Sequence, residues 1–405
     1  MTRALEAYRE GNHVGRFAQN AGGTTTFTYD EDAPKTPISL SLPRDGGSMK
    51  RAPANFLENF LPDNASTRAR MAASYGAVSV NAFDLLAKAG GDIAGGLVLL
   101  PEGQALQSTI PVLDPALTGD IAARIAAIKR DPDSWTDELS PARFSLAGTQ
   151  GKFALARIED DWYWSNETVP STHILKPANP KLVGLEAAEA AALTLAADIG
   201  IAAPHATTLE ARDQTSFIVE RFDRTSDGQI ARRLHAEDLA QSLGRSPTEK
   251  YGVTAAQVIG LLNQVDPSAD LAYAFVRQLA FNVVIGNADA HAKNYSVFLR
   301  PGGVELGLLY DAVPVVLYPE YDQHLAMKIG GAQFARQVSR AHWRKLAEKT
   351  GLDPDRTVTV AIQVAEATAE RAGSAWAGME EVTVSRWSRQ CSKSQRTSAA
   401  QRPAE

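Results

Sequence analysis

Gly286-Asn-Ala-Asp-Ala-His-Ala-Lys-Asn-Tyr295 is the stretch on which the reading of this chain turns. Asp289 and Asn294 stand five apart in it. The loop follows an apolar run, residues 271–285, and precedes two β-like runs, residues 295–300 and 304–310, joined by Pro301-Gly302-Gly303. An apolar run of that length predicts a helix that stops at Gly286, and the proline-glycine joint predicts a hairpin. Asp311 closes the hairpin, 17 residues after Asn294. Two carboxylates and an amide in this order form a set of hard oxygen donors, suited to taking a proton and holding Mg²⁺. Phosphoryl transfer from ATP requires such a pair, with Asp289 as catalytic base and Asn294 and Asp311 as metal ligands. Asx residues are also common in turns, so Asp289 and Asn294 alone read equally well as loop residues and Asp311 as a strand-end cap. The combination of loop, hairpin and aspartate favours chemistry.

Between the two lie His291 and Lys293. His291 has no histidine or cysteine nearby at zinc-ligand spacing, which leaves structural hydrogen bonding or phosphate contact. Lys293 is open between neutralising a transferring phosphate and simple solvation.

Upstream, Ser145-Leu-Ala-Gly-Thr-Gln-Gly-Lys152 leads into a predicted strand, residues 153–158. Small residues let backbone N–H groups approach phosphate oxygens, but Gly148 and Gly151 are too close for a Walker A loop and Phe153 follows Lys152. Runs at 153–158, 162–165 and 173–176 suggest an antiparallel meander. Lys176 lies within Ile174-Leu-Lys-Pro177, where a strand lysine can hold α and β phosphates; a solvated edge-strand lysine is the alternative. The alanine-rich residues 185–199 predict a helix ending at Gly200. It carries Glu189, 13 residues after Lys176 and a candidate to orient it, with Glu186 as fallback. A strand over 215–222 ends in Val219-Glu-Arg-Phe-Asp223, whose backbone could pair with adenine as an interlobe hinge.

Nearer the N-terminus, residues 14–17, 24–29 and 38–42 read as β-like runs and residues 66–75 and 82–89 as helices. Glycines between 90 and 103 read as a boundary. The predicted organisation is an N-terminal α+β subdomain over 1–105, a nucleotide-binding lobe over 106–225, a helical catalytic lobe over 226–380 and a polar disordered tail over 381–405.

With 405 residues, 44% hydrophobic and 22% charged, the chain can bury several cores. Its one cysteine, Cys391, excludes an intramolecular disulfide and a cysteine-built zinc site. The charged N-terminus lacks a secretory signal and no run is long enough to span a membrane, which predicts a cytoplasmic protein without membrane attachment. With 41 Lys+Arg against 47 Asp+Glu, net −6, the chain is poorly suited to bind a phosphate backbone directly.

Glycine-rich loop, strand lysine, helix glutamate, hinge, Asp-x-x-x-x-Asn loop, hairpin and metal aspartate succeed one another in the order of a protein-kinase-like fold. The sequence resembles the HipA family of toxin serine/threonine kinases over nearly its whole length. The motifs that carry the resemblance are residues 145–152, His173-Ile-Leu-Lys-Pro177, Val219-Glu-Arg-Phe-Asp223, His235-Ala-Glu-Asp-Leu-Ala-Gln241 with Lys250-Tyr251, residues 286–294, and Leu309-Tyr-Asp311 with Leu325-Ala-Met-Lys-Ile-Gly330. Pro37-Ile-Ser-Leu-Ser-Leu-Pro43 and Phe56-Leu-Glu-Asn-Phe-Leu-Pro62 resemble the family's N-terminal subdomain.

The resemblance implies an α+β, two-lobed, protein-kinase-like fold with a HipA-type N-terminal subdomain and a mainly helical C-terminal lobe. It implies ATP and Mg²⁺ as cofactors, with Asp289 as base, Asn294 and Asp311 on the metal and Lys176 on the phosphates. Ala147, Gly148, Thr149, Gln150, Gly151, Lys152, Glu220, Arg221, Phe222, His291, Ala292, Lys293, Asn294 and Tyr310 would line the ATP site. Ser145 matches a loop serine whose autophosphorylation silences such kinases. The implied partners are a HipB-like helix-turn-helix antitoxin, operator DNA reached mainly through it, and a protein substrate in translation such as an aminoacyl-tRNA synthetase. Gly151 and Ala312-Val313-Pro314 depart from the usual pattern without removing a named group. A small-molecule phosphotransferase and a catalytically silent co-repressor are the competing readings. The basic tail beyond Val382 could touch DNA or be simply solvated.

Overall fold

Apolar and polar residues alternate through Arg3–Arg9, placing Leu5 and Ala7 in a core while Arg3 stays outside. The computed structural model describes residues 3–106, 110–135, 144–179 and 182–375. They cluster into two units: Met1–Ala178 with Thr208–Glu249 and Val297–Gly303, and Asn179–Thr207 with Lys250–Ser296 and Val304–Glu405. The polar tail from residue 381, with Cys391, lies outside the described residues. No helix among those described is long and apolar enough to cross a membrane.

In the first unit, four antiparallel strands run in the order Thr25–Tyr29, Asn12–Gln19, Arg3–Arg9, Leu97–Pro101. The central strand is the charged N-terminal stretch, and Leu97–Pro101 lies inside the glycine-rich segment read as a boundary. Both strands escaped the sequence reading, because Arg3, Glu6 and Arg9 mask the alternation. Helices Ala52–Glu58, Ala65–Tyr75 and Ala82–Ala89 cover the sheet, with Phe17 packed 4.5 Å from Phe27 and 5.9 Å from Phe56. Residues 38–42, read as β-like, form a turn instead. Ile38 and Leu42 are buried, but Leu42 N–H closes on Ser39 O and Leu40 N–H donates to the Glu237 carboxylate, so no ladder forms.

A five-stranded sheet comes next, ordered Asp161–Trp164, Phe153–Ile158, His173–Pro177, Gln214–Glu220, Ala206–Ala211. It is not the expected meander. Phe153–Ile158 sits between its two successors, pairing Leu155 with Trp164 on one side and Phe153 with Leu175 on the other. Helix Thr118–Arg130 lays Ile121, Ile125 and Ile128 in the same core as Phe153, Leu175 and Ile218. His173–Pro177 is thereby an interior strand, which removes the edge-strand reading of Lys176.

A buried charge network ties these two sheets together. Arg221 grips Asp223 with two hydrogen bonds (2.9 and 2.7 Å) and reaches Ser171 Oγ and Ile93 O (both 2.9 Å). Arg224 reaches Asp92 (3.0 Å), Ile93 O (2.9 Å) and Gly95 O (2.8 Å), while Gly95 N–H donates to Asp223 (2.6 Å). Gly95 has φ +74°, and a Cβ there would fall 2.3 Å from Ala236 O, so this approach requires glycine. Burial alone would raise Asp223, but Arg221 and Arg224 hold its carboxyl well below the usual carboxylate range.

Beside this network, burial pushes Glu237 up to about 7 and His235 down to about 4. Neutral His235 donates from Nε2 to Ile38 O (2.8 Å) and accepts at Nδ1 from Gly96 N–H (3.3 Å), which fixes its tautomer.

The second unit is mainly helical. Helix Pro354–Ala375 packs on Leu185–Asp198, Asp270–Ile285 and Arg340–Thr350. The small side chains of Ala188, Ala192 and Ala196, all buried, suit Leu185–Asp198 to this packing.

Asp223→Ala leaves Arg221 and Arg224 buried without their shared carboxylate and should cost about 3–5 kcal/mol; an unchanged urea midpoint would refute the assignment. Folded Glu237 binds its proton above the ordinary value of 4.5, so its contribution is full below that value and is lost as pH rises through about 7. Glu237→Gln should therefore flatten the decline in thermal midpoint between roughly pH 5 and 8.

Candidate active site

Helix Asp270–Ile285 ends at Gly286, where the sequence predicted, and the next residue sets the course of the loop. Asn287 Nδ2 donates to Asn282 Oδ1 (2.9 Å) on that helix and to Asp311 O (3.1 Å), while its Oδ1 accepts the Asp289 N–H (3.2 Å). One amide thus joins helix, loop and metal-candidate aspartate. Gly286 O accepts from Val316 N–H (3.1 Å) and Ala288 O from Ala326 N–H (2.8 Å). The loop ends in the short helix Ala292–Asn294 and in Tyr295, fully buried, with its hydroxyl accepting from Asn282 Nδ2 (3.1 Å).

On this frame Asn294 Nδ2 donates to Asp311 Oδ2 (2.6 Å). That bond fixes the amide's orientation, because the opposite one would set oxygen against carboxylate. Asn294 Oδ1 is consequently buried with no hydrogen-bond partner, and an orphaned hard oxygen beside a carboxylate suits Mg²⁺. Magnesium takes one or two protein carboxylates and completes its shell with phosphate and water, so Asn294 and Asp311 fit as its protein ligands. Asp311 has φ +55°, a backbone conformation uncommon outside glycine and found at sites held by their surroundings.

Asp289 is exposed on its open side. Crowding by protein on the other raises its carboxyl above the ordinary range; the Tyr251 hydroxyl opposes this, Asp311 adds to it and Lys250 opposes it. His291 and Lys293 are both buried, which removes simple solvation as the reading of Lys293. His291 packs edge-on against Tyr251 at 5.0 Å, and Tyr310 donates its hydroxyl to Lys293 O (2.7 Å).

The remaining expected residues lie mostly in the first unit. Ser145 is only 2% exposed; its Oγ donates to Phe60 O (2.8 Å) and its N–H to Asp92 O (3.1 Å). Gly148 O accepts from Asp63 N–H (3.0 Å) and Thr149 O from Asn64 Nδ2 (3.1 Å). Lys152 turns back to Ala147 O (2.9 Å) over the Trp135 ring (5.4 Å). Gly148 has φ +106°, and a Cβ there would meet Lys152 Nζ at 2.8 Å. Gly151 packs against Ile128, and Gln150 is half-buried. Lys176 is buried, with its amine over Phe217 at 5.4 Å. Glu189, its expected orienting partner, is buried on Leu185–Asp198 in the second unit.

At the hinge candidate, the Arg221 side chain is committed to Asp223 and its N–H donates to Thr172 O (2.7 Å), so Arg221 serves the first unit's framework. Phe222 packs on Phe298 at 5.7 Å, and Glu220 closes strand Gln214–Glu220. Sequence reasoning missed Asn287 and Asn282, whose only trace is a pair of asparagines flanking a helix-ending glycine. It also gave Tyr251 no role.

Two family models match the chain: the HipA N-terminal domain over residues 5–100 and the HipA-like C-terminal domain over residues 144–376. The chain belongs to the HipA family. A Sinorhizobium fredii protein named "Putative kinase Y4mE" is 33% identical over 366 residues, 86% of each chain. The serine/threonine-protein kinase toxin HipA of Shewanella oneidensis is 30% identical over 350 residues, 81% of this chain and 79% of its own. A chain of the solved Shewanella oneidensis complex of HipA, HipB and operator DNA matches with TM-score 0.82 at 26% identity, with 96% of both chains covered. The α+β, two-lobed, kinase-like fold expected from the motifs is therefore that of HipA, and the chain is a kinase of the HipA toxin type.

Because Asn287 fixes the loop through three bonds, Asn287→Ala should slow phosphoryl transfer by about 10–100-fold, as expected when a reacting group loses its positioning. Amide hydrogen exchange at Asp289 should quicken in parallel. Wild-type rates for both would show that the clamp is dispensable.

Proposed function

We propose that this HipA-family protein is an ATP-dependent serine/threonine-protein kinase and the toxin of a toxin–antitoxin pair. The observation that carries the reading is the orphaned Asn294 oxygen beside Asp311, in the same loop system as the exposed Asp289 carboxylate. When bound, magnesium ATP supplies the phosphoryl group and a counter-charge for its phosphates. Asn294 and Asp311 hold the metal, Lys176 binds phosphate oxygens with Glu189 as its orienting partner, and residues 147–152 with Lys293 contribute further donors. Asp289 accepts the proton of the attacking hydroxyl. The domain division at residues 105, 225 and 380 belongs to the same reading.

Ser145 is the proposed off-switch. Its hydroxyl is buried against Phe60 O, and a phosphoserine carrying roughly −1.5 to −2 charges has no counter-charge in that bond. The loop would have to leave its seat. The physiological substrate is taken to be a component of translation such as an aminoacyl-tRNA synthetase. A HipB-type helix-turn-helix antitoxin would neutralise the kinase and carry it to operator DNA in the cytoplasm. The likeness to a toxin solved in complex with HipB and operator supports this, as does the net charge of −6, which disfavours direct DNA binding.

Intact-mass spectrometry after incubation with magnesium ATP tests the reading. One phosphate is expected on the native protein and none on Asp289→Ala or Ser145→Ala. No phosphate on protein that arrives unmodified, together with no ATP binding, would sink the kinase reading in favour of a silent co-repressor.

A further inference from the structure

We propose that Tyr251 is a positioning residue for phosphoryl transfer, its hydroxyl holding one oxygen of the Asp289 carboxylate so that the other faces the acceptor hydroxyl. The inference rests on Asp289 as the base and extends that reading to a residue outside the loop. The Tyr251 Oη–H donates to Asp289 Oδ1 at 2.8 Å. The loop's own bonds, through Asn287 and the His291 N–H, fix the Asp289 main chain and leave its carboxylate free to rotate. Among the described residues, Tyr251 is the one hydrogen-bond donor to that carboxylate.

Two packing contacts keep the ring in place. Tyr251 is 53% exposed, more than a tyrosine needs for burial energy to hold it. Its position comes from the edge-on contact with buried His291 (5.0 Å, 83°) and from the buried Lys250 amine over the ring (5.2 Å). A cation at a ring face and a second ring at its edge are both favourable geometries. His291 thereby acquires a task that leaves its phosphate role unneeded: it supports the residue that aims the base. Tyrosine suits the task because two side-chain torsions place a donor at fixed reach with little entropy loss.

The polarity of the bond also matters. Asp289 faces Tyr251, Lys250 and Asp311, and the first two favour its ionised form while the last opposes it. A hydroxyl can stabilise a carboxylate without neutralising it, whereas a closely paired lysine would hold it too weakly basic to accept a proton. With Oδ1 occupied by the phenol, Oδ2 is the oxygen left for the acceptor. The exposed ring beside it becomes part of the surface over which that acceptor approaches.

Full-length Tyr251→Phe keeps the ring and removes only the donor. Single-turnover transfer from magnesium ATP to the protein itself, read by intact mass, should slow about tenfold at saturating ATP, a fraction of the full contribution of a general base. The concentration of ATP giving half-maximal rate and the thermal midpoint should stay unchanged. Tyr251→Leu, which also removes the ring, should slow transfer at least as much. A wild-type rate for Tyr251→Phe overturns the proposal. So does a parallel loss of ATP affinity and thermal stability, which would mark a structural role. If the native protein and Asp289→Asn are equally inert, the kinase reading itself fails and takes this proposal with it.

Discussion

The first unit depends on two carboxylates and three guanidiniums placed where water does not reach. Asp92 and Asp223 face Arg221 and Arg224 directly, and Arg233 lies 3.9 Å from Asp92. Moving such ions out of water costs several kcal/mol each, and mutual attraction recovers this only when the remaining hydrogen-bonding groups are also satisfied. Here main-chain groups of residues 92–95 meet that need, since Ile93 and Gly95 carbonyls take guanidinium N–H groups and Gly95 N–H meets Asp223. The positive charge in excess shows in Arg233, pushed down to about 10 by burial despite Asp92. It remains ionised at neutral pH. Apolar residues of equal volume could fill the space, but they could not read individual carbonyls, and register between the two sheets is what those bonds specify.

Asp92 extends the same control to the glycine-rich loop. Its side chain accepts from Ser171 N–H (3.2 Å) and Arg224, while its carbonyl accepts from Ser145 N–H. One residue of the N-terminal subdomain therefore holds the start of the loop and, through Arg224, the end of the hinge segment. In the second unit Asn287 does comparable work with a neutral amide, joining helix, loop and Asp311. Charge is used where two sheets must be brought into register; a neutral clamp is used where added charge would disturb Asp289 and the metal-candidate oxygens. In both cases rigidity at the site comes from side chains bonded to backbone, which fixes the chain without occupying the groups that react.

How much of this the sequence carried depended on whether the signal was local. Gly286 after an apolar run, or Gly200 after an alanine-rich one, marks a helix end through its own backbone preference. Asp289, Asn294 and Asp311 were legible because their spacing is chemistry written along the chain. The central strand Arg3–Arg9 was not, since its partners lie at residues 12–19 and 97–101 and its charged positions hide the period. The order of the five-stranded sheet was equally hidden: alternation identifies strands but not which neighbour each one takes. Ile38 and Leu42 were read as strand because they are apolar, yet their segment turns under the influence of Glu237, almost two hundred residues away. Tyr251 had no local signal because its role exists only once the fold brings it to residue 289.

The seat of Ser145 shows how such long-range placement can make a single hydroxyl sensitive to modification. Its Oγ–H points at a main-chain carbonyl, and the neighbouring bonds of the loop run to Asp92 O, Gly148 O and Thr149 O. A hydroxyl fits among carbonyls because it brings a donor. A phosphate would bring oxygens to face the Phe60 carbonyl lone pair and lose the donor that made the contact favourable. Lys152, a cation of the same loop, is directed to Ala147 O and the face of Trp135. The surroundings of Ser145 thus favour the unmodified side chain by hydrogen-bond polarity as well as by space, and in such a seat modification acts on the loop as a whole, since residues 145–152 share their anchors.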